Sequence, residues 1–356
     1  MSRIYLDYAS LTPIDKDVVK VMNKYHSMEY MNPSSLYISG VASKKALLDA
    51  RTRIAKILHA HPDEIIFTSG GTESNRLILE SVENKNIIIS AIEHSSIINN
   101  THAVHISVDK SGIIDFKALE KSITAETKLV SIMLVNNEIG VIEPIHEIAK
   151  IIRHIRKINN SIYPLLHTDA CQALYQPLHV EKLGVDLVTL DGMKMYGPRG
   201  VGMLYVRRGT VKIERQGTEN IPGIMGFAQA LEQVDKIRDK EVRRLRELKK
   251  YFMDGLVKIN PDIKVNGNLD TSSPHILNVA IPNIDNEFFV LQLDAKGIEC
   301  STKSACLIDT DESYVMKAIG ADSKKSVRFS FGRYTTKGEL KKTLKIIAKV
   351  LSTTYN

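Results

Sequence analysis

Two charged residues follow apolar runs in the middle of the chain, and their types suit carbanion chemistry. Asp169 follows the apolar run in YPLLHTDACQA, and Lys194 follows the one in VDLVTLDGMKMYG. At the carboxyl edge of a parallel sheet, a buried aspartate could hold a pyridinium nitrogen protonated. A lysine between Met193 and Met195 could lose its proton and form a Schiff base. A turn aspartate and an ordinary loop lysine are the commoner alternatives for these two stretches.

A glycine turn precedes both residues in the segment IIFTSGGTESN. The apolar run ends at Thr68, the residues Ser69, Gly70 and Gly71 must turn tightly, and a helix is expected to begin near Thr72. The free N–H groups and the dipole at a helix start favour a phosphate. Because Gly-Gly turns join strands to helices in many proteins, this motif alone supports a plain turn equally well.

A cysteine and an arginine complete the set near the C-terminus. Cys306 lies in the small, polar stretch STKSACLID before a helix expected at about 312–319, which suits an exposed thiolate nucleophile. Cys171 and Cys300 fit better as buried, small apolar residues. Arg328 alternates with apolar residues in SVRFSFGRYTT, where it could bind a substrate carboxylate or form a salt bridge with a neighbouring acid.

The elements that position these residues alternate between strand and helix up to about residue 210. Helical spacing of apolar residues covers 42–59 and about 145–158. This alternation predicts an α/β domain with a mainly parallel sheet. Its strands are expected at 65–68, 86–90, 104–108, 129–135, 162–166, 185–190 and 202–206.

The pattern changes near residue 222. A long amphipathic helix is expected at about 224–257, followed by a smaller α+β unit with strands at 275–281 and 326–331 and a helix at 287–296. Thr336 and Glu339 form a capping box for a terminal helix. We therefore expect a large domain at 13–232 and a small domain at 233–356, joined by the N-terminal segment 1–12.

Composition excludes several classes of protein. The chain has 356 residues, of which 43% are hydrophobic and 25% charged, so it is neither disordered nor fibrous. No window approaches about 18 uninterrupted apolar residues, and the first residues carry no secretory signal. The 3 cysteines indicate reduced thiols, hence a cytoplasmic protein. The net charge of +7 is attributed to solubility rather than to direct nucleic-acid binding, because the densest charge run, at 236–250, mixes both signs.

The order of these features closely resembles the cysteine desulfurases, in the class-V aminotransferase group of fold-type I pyridoxal 5'-phosphate enzymes. The resemblance extends over essentially the whole chain. It implies a large domain with a mainly parallel seven-stranded sheet and a smaller C-terminal α+β domain. The matching blocks are YLDYASLTP, NPSSLYISG, FTSGGTESN, EHSS, VNNEIGVIEPI, HTDACQA, KMYGPRGVGMLYVRRG, RQGTEN, HILNVAIPN, STKSAC and VRFSFGRYTT.

The resemblance assigns roles to the residues around the cofactor ring. Lys194 would form the Schiff base and act as the base at Cα. Asp169 would pair with the ring nitrogen, Gln172 with the ring hydroxyl, and His94 would stack on the ring. Asn137 would contact the cofactor and, with Arg328, the substrate carboxylate.

At the phosphate, the resemblance implies contacts from Gly71 and Thr72 and from the two positions that hold Asp191 and Met193. Thr218, in RQGTEN, would reach the phosphate of a partner subunit, which implies a homodimer. The implied reaction converts L-cysteine to L-alanine and leaves a persulfide on Cys306. A sulfur-acceptor protein, either an iron–sulfur scaffold or a tRNA-thiolation enzyme, would receive the sulfur.

The sequence departs from the family at the phosphate. The family usually has a serine and a histidine where this chain has Asp191 and Met193, and an ionised aspartate would repel a phosphate dianion. Asp191 is expected to turn away, bind a water or stay protonated. Two segments are also short: IINNTHAVHIS after EHSS, and the stretch before RQGTEN, where the customary glycine-rich sequence is missing.

Two other functions fit parts of the pattern. A related pyridoxal-phosphate enzyme, such as a selenocysteine lyase or an aminotransferase, would leave Cys306 incidental. A non-catalytic scaffold would account for the altered phosphate positions. The joint presence of Asp169, Lys194, Cys306 and Arg328 favours the desulfurase.

Overall fold

The computed structural model describes residues 3–302 and 312–354. Its centre is a seven-stranded sheet with the order β2-β8-β7-β6-β5-β3-β4. Strand β8 runs antiparallel to both β2 and β7, and the remaining pairs are parallel. The strands are β2 (Ile65–Thr68), β3 (Ile87–Ser90), β4 (Val104–Ile106), β5 (Leu129–Ser131), β6 (Leu165–Asp169), β7 (Leu187–Asp191) and β8 (Gly202–Val206).

Helices cover this sheet, and most of its strands are fully buried, as expected for a largely parallel sheet. The helices of this part are α1 (Lys16–Ser27), α2 (Ile38–Leu58), α3 (Gly71–Ser81), α4 (Ser95–Ile98), α5 (Phe116–Ser122), α6 (Ile145–Asn159) and α7 (Val180–Leu183). The predicted mainly parallel seven-stranded α/β sheet is confirmed, and each predicted strand overlaps an observed one.

The long helix α8 (Ile221–Ile259) leads from the central sheet to a smaller α+β part. There β12 (Ser326–Ser330), β10 (Ile276–Ala280) and β9 (Lys264–Val265) form an antiparallel sheet, and the helices of this part are α9 (Asn286–Asp294), α10 (Tyr314–Ala318) and α11 (Lys337–Thr354). Glu339 accepts from the backbone N–H of Thr336, so the predicted capping box forms.

The N-terminal segment crosses between the two parts. Strand β1 (Ile4–Tyr5) pairs in parallel with β11 (Ile298–Glu299), and Asp7 bridges to Ser330 of β12. The backbone then continues to Thr12, whose N–H and hydroxyl both donate to the carbonyl of Met193 beside the large sheet. Residues 7–12 thus form a wall between the sheet edge and the smaller part.

Three chain segments that carry chemistry meet at one sheet edge. Asp169 and Asp191 are the last residues of β6 and β7. Because β8 runs opposite to both β2 and β7, β2 ends at the same edge, and its turn leads there into α3. Among the described residues, no helix is both long and apolar enough to cross a membrane.

Candidate active site

A cavity of about 420 Å³ lies at this carboxyl edge of the sheet. Residues of the N-terminal segment, the large sheet and β12 all line it. Ten of the predicted site residues are among its walls: Gly71, Thr72, His94, Asn137, Asp169, Gln172, Asp191, Met193, Lys194 and Arg328.

The carboxylate of Asp169 is buried at one end of the cavity and fixed by two donors. Its Oδ1 accepts from the backbone N–H of Cys171 at 2.9 Å, and its Oδ2 accepts from the amide of Asn75 at 2.8 Å. Both donors are neutral groups, and together they set the direction of the carboxylate. A cationic ring nitrogen is a suitable partner for a buried carboxylate of this kind.

His94 belongs to the same polar network. It caps α4, and its Nδ1 accepts from the backbone N–H of Ser96 at 3.2 Å and lies 2.8 Å from the Ser96 hydroxyl. The same hydroxyl accepts from Asn75, which links the histidine to Asp169. Since Nδ1 accepts a hydrogen bond, a neutral His94 carries its proton on Nε2.

Lys194 reaches into the cavity from the short turn at Gly192–Lys194. Its Nζ donates to the carbonyls of Ala9, at 3.1 Å, and Ser10, at 2.5 Å. Both acceptors are uncharged. Two backbone carbonyls of the N-terminal wall therefore help to position the amine beside the cavity.

Gln172 is oriented by a histidine from the smaller part. Its Nε2 donates to the carbonyl of Ala9 at 2.7 Å, and its Oε1 lies 3.3 Å from Nε2 of His275. Burial lowers the pKa of His275 to about 3, so the ring is neutral. Because Nδ1 faces the Ser273 hydroxyl at 2.7 Å, the neutral ring can donate through Nε2 to Gln172.

At the other end, Asp191 closes the glycine turn. Its Oδ2 accepts from the backbone N–H of Gly71 at 2.9 Å, and its Oδ1 accepts from that of Met193 at 3.0 Å. Gly70 has a φ of 151°, which side-chain-bearing residues rarely adopt. A Cβ at Gly71 would lie 2.7 Å from Sγ of Cys171. The turn is thus shaped so that an anion can approach its backbone closely, and the Asp191 carboxylate is the group that does so.

The pKa of Asp191 reflects this buried position. Burial raises the pKa of its carboxyl above the ordinary value, although the N–H groups of Gly71 and Met193 and the charge of Lys194 act in the opposite direction. Of the three expectations for Asp191, turning away is wrong, because its carboxylate lies at the start of α3. The raised pKa makes this carboxyl easier to protonate than an exposed aspartate.

Arg328 is almost fully buried and makes a salt bridge as well as lining the cavity. Its Nη2 donates to Oδ1 of Asp7 at 2.8 Å, and its Nη1 donates to the carbonyl of Asn137 at 2.8 Å. Its buried Nε has no hydrogen-bond partner among the described residues. The salt-bridge alternative is therefore realised, and the guanidinium still faces the cavity.

The cysteines differ in how much the structure says about them. Cys306 lies outside the described residues. Cys171 and Cys300 are free thiols, and burial raises the pKa of each well above its ordinary range. Both stay protonated at neutral pH and are poor nucleophiles.

Thr218 lies away from this cavity. It lines a separate surface groove of about 260 Å³ together with Tyr30, Met31 and Asn32. Its predicted contact with the phosphate of a partner subunit stays a prediction.

Sequence reasoning did not assign Asn75, Ser96, Asp7 or His275. Asn75 stands four residues after Gly71, one helical turn into α3, so its position in FTSGGTESN was a usable signal. The contacts of Asp7 and His275 cross from one part of the chain to another, and no local pattern predicts them.

Comparison with known proteins agrees with this fold. The sequence profile described as "Aminotransferase class-V" matches residues 4–214 and 211–343. The chain therefore belongs to the class-V aminotransferase family. Among curated relatives, the cysteine desulfurase IscS of Dictyoglomus turgidum is 38% identical, covering 98% of this chain and 94% of the relative. The cysteine desulfurase of Homo sapiens is 34% identical, covering 96% and 80%.

Solved structures give the same relationship. A NifS-like protein superposes with a TM-score of 0.89 at 31% identity, covering 98% of this chain and 99% of that chain. A NifS-like protein from Rickettsia africae has a TM-score of 0.87 at 29% identity, covering 98% and 99%. Within the class-V group, the chain is a member of the cysteine desulfurase family.

The cofactor of that family, pyridoxal phosphate, fits one end of the cavity better than the other. Asp169 provides the buried carboxylate that a pyridinium nitrogen needs, and Lys194 provides the amine for an aldehyde. The helix start at Gly71 provides phosphate donors, but Asp191 already accepts from one of them. The cavity offers partners for the ring nitrogen and the aldehyde, whereas the Asp191 carboxylate already occupies the position for the phosphate.

Proposed function

We propose that this chain is a pyridoxal-phosphate-dependent cysteine desulfurase that converts L-cysteine to L-alanine and forms a persulfide on Cys306. The observation that carries the proposal is the meeting of Asp169, Lys194 and Arg328 in one cavity. These three side chains come from β6, the turn after β7, and β12, and each suits a different part of one amino-acid reaction. The family membership of the chain supports the same reaction.

Pyridoxal phosphate, when bound, supplies an electron sink that stabilises negative charge at Cα of the amino acid. Asp169 holds the ring nitrogen protonated, and Asn75 keeps that carboxylate aimed. Gln172 donates to the ring hydroxyl. Lys194 would carry the proton that leaves and returns at Cα, and the carbonyls of Ala9 and Ser10 help to position its amine.

The substrate carboxylate binds at Arg328 and Asn137. Arg328 already pairs with Asp7, so the substrate uses its remaining donors, including the Nε that lacks a partner among the described residues. A charge-assisted hydrogen bond from a buried guanidinium both binds and orients the amino acid. His94 provides the flat surface against which the ring stacks.

The sulfur-transfer step balances without any outside oxidant. The thiolate of Cys306 attacks the substrate sulfur, an S–S bond forms, and the C–S bond breaks. The electron pair of that bond stays on the three-carbon product, which gains protons to become L-alanine. The sulfur then leaves to an acceptor protein, for which an iron–sulfur scaffold and a tRNA-thiolation enzyme are the two candidates. The free thiols of Cys171 and Cys300 fit a reducing compartment, and we place the reaction in the cytoplasm.

The test measures alanine, sulfide and persulfide together after incubation with pyridoxal phosphate and L-cysteine. The wild-type protein should form one alanine for each sulfur released. Cys306→Ser should lose persulfide formation, whereas Cys171→Ser serves as the matched control and should retain it. Undiminished sulfur release by Cys306→Ser would contradict the assignment and favour a lyase or aminotransferase.

The position of Asp191 favours one further candidate, a non-catalytic scaffold that holds no cofactor. A yellow protein whose absorbance disappears on borohydride reduction, and a Lys194→Ala variant that never acquires the colour, would exclude the scaffold. A colourless protein that does not respond to added pyridoxal phosphate would support it.

We also propose a homodimer. An apolar surface precedes α2 and enters its first turn, where Leu36 is 96% exposed and Ile38 is 91% exposed. The same stretch adjoins the groove that contains Thr218. Exposed apolar surface of this kind marks an interaction site. Leu36→Glu with Ile38→Glu should give a monomer in sedimentation experiments, whereas the exposed control Leu291→Glu should not; an unchanged dimer in the first variant would argue against this surface.

A further inference from the structure

One contact at the phosphate end of the cavity has no counterpart at the ring end. The Asp191 carboxylate uses both its oxygens to accept backbone N–H groups, one at the first residue of α3 and one in the turn that carries Lys194. It also lies close to the glycine before α3, since a Cβ at Gly70 would come within 3.1 Å of Asp191 Oδ2. The carboxylate therefore fills the concave side of the glycine turn.

We infer that Asp191 is an internal anion that competes with the cofactor phosphate for the donors of the glycine turn. The inference rests on the proposed function and adds a property of this chain, namely that its affinity for the phosphate group depends on the charge of Asp191. The phosphate gains the Gly71 donor only when Asp191 is protonated or has withdrawn.

Electrostatics gives the direction of this competition. A carboxylate at a helix start takes part in the same interaction with the N-terminal dipole that an incoming phosphate would use. Two anions within a few ångströms repel each other strongly in a partly buried site. Neutralising Asp191 removes that repulsion and leaves a hydroxyl that can donate to the phosphate.

The groups that face Asp191 come from every element around it. Lys194 follows β7, Asp169 ends β6, and Cys171 follows β6, while Arg199 also lines the cavity. Burial raises the pKa of Asp191, and burial keeps the Cys171 thiol protonated. Lys194 loses its proton to form a Schiff base with either ligand, so its contribution is the same whether or not the ligand carries a phosphate.

The experiment therefore compares two ligands that differ only in the phosphate. Dissociation constants for pyridoxal phosphate and for pyridoxal are measured by Schiff-base absorbance at pH 5.0, 6.5 and 8.0. The ratio of the two constants cancels the contributions of the ring and of Lys194. For the wild-type protein, the preference for the phosphorylated ligand should decrease as pH rises.

Asp191→Asn removes the charge and keeps a side-chain oxygen that can accept from Gly71. This variant should prefer pyridoxal phosphate about tenfold more strongly than the wild type at pH 8.0, with a smaller difference at pH 5.0. Its affinity for pyridoxal should stay within about twofold. The matched control is Glu73→Gln, because Glu73 also lies in the first turn of α3, where it accepts from the backbone N–H of Ser69 and pairs with Arg215, but it does not line the cavity.

The outcomes separate this inference from the proposed function. An unchanged ligand preference in Asp191→Asn, or an equal change in Glu73→Gln, would overturn the competition. So would a wild-type preference that does not vary with pH, a result that needs no variant to fold. Absence of Schiff base with either ligand, in wild type and Asp191→Asn alike, would overturn the proposed function as well.

Discussion

The two ends of the cavity each present one aspartate from the same edge of the same sheet, yet the two carboxylates are held differently. Asp169 ends β6 and accepts from one side-chain amide and one backbone N–H. Asp191 ends β7 and accepts from two backbone N–H groups, one of which begins a helix. The two aspartates share their residue type and their position at the end of a strand, so only their hydrogen-bond donors distinguish the two ends of the cavity.

This difference shows how donors assign a role to a carboxylate. Within residues 3–302 and 312–354, the hydrogen-bond donors to Asp169 are neutral, and its carboxylate faces the position proposed for a cationic ring nitrogen. Asp191 accepts from the backbone N–H of Gly71 at the start of α3, where it takes the place of an anionic ligand. One end of the cavity therefore attracts the cofactor ring. At the other end, the Asp191 carboxylate must withdraw or take up a proton before the phosphate can bind.

The largest effect is expected at the ring end. Asp169→Asn keeps the shape but removes the charge that holds the ring nitrogen protonated, so we expect kcat to fall about 10²-fold or more. The measurement is alanine formation at saturating cofactor, with bound cofactor verified by absorbance. Asn75→Ala, which only loosens the aim of Asp169, should lose less activity. Equal activity of Asp169→Asn and wild type would remove the distinction between the two ends.

An intermediate effect is expected at the glycine turn. Gly71→Ala places a Cβ 2.7 Å from Sγ of Cys171, and overpacking of this kind costs about 1–3 kcal/mol. We expect pyridoxal phosphate to bind about tenfold more weakly. The double variant Gly71→Ala, Cys171→Ala removes the nearest atom and should recover most of the affinity. No recovery would show that the turn itself, rather than its packing on Cys171, sets the phosphate site.

The smallest effect concerns stability. Because burial raises the pKa of Asp191 in the folded state, the native protein binds a proton there more tightly than the unfolded chain. Stability is therefore lost as pH rises from the ordinary aspartate pKa through the raised one. In protein purified without added cofactor, the melting temperature should fall between pH 4 and 8. The fall should be about 1–2 °C smaller for Asp191→Asn than for the wild type. A wild-type melting temperature that rises relative to that of the variant over this pH range would contradict the prediction.

Much of the site could be predicted from sequence because its chemistry stands at element boundaries. Apolar runs that end in Asp169 and Lys194, and a glycine pair before a helix, follow directly from the alternation of strand and helix. The order of motifs then fixed the family. The main departure, Asp191, was also visible, since an acid stood where a neutral donor was expected.

The sequence by itself determined the residue types, the strand ends on which they stand, and the family. Only the tertiary structure decided their partners. Asp191 meets Gly71 across 120 positions, and Arg328 meets Asp7 across 321. Such contacts depend on strand order and on the path of the N-terminal segment, which pack distant parts of the chain against one another. Local patterns carry no information about that packing, so the occupant of the glycine turn became visible only in three dimensions.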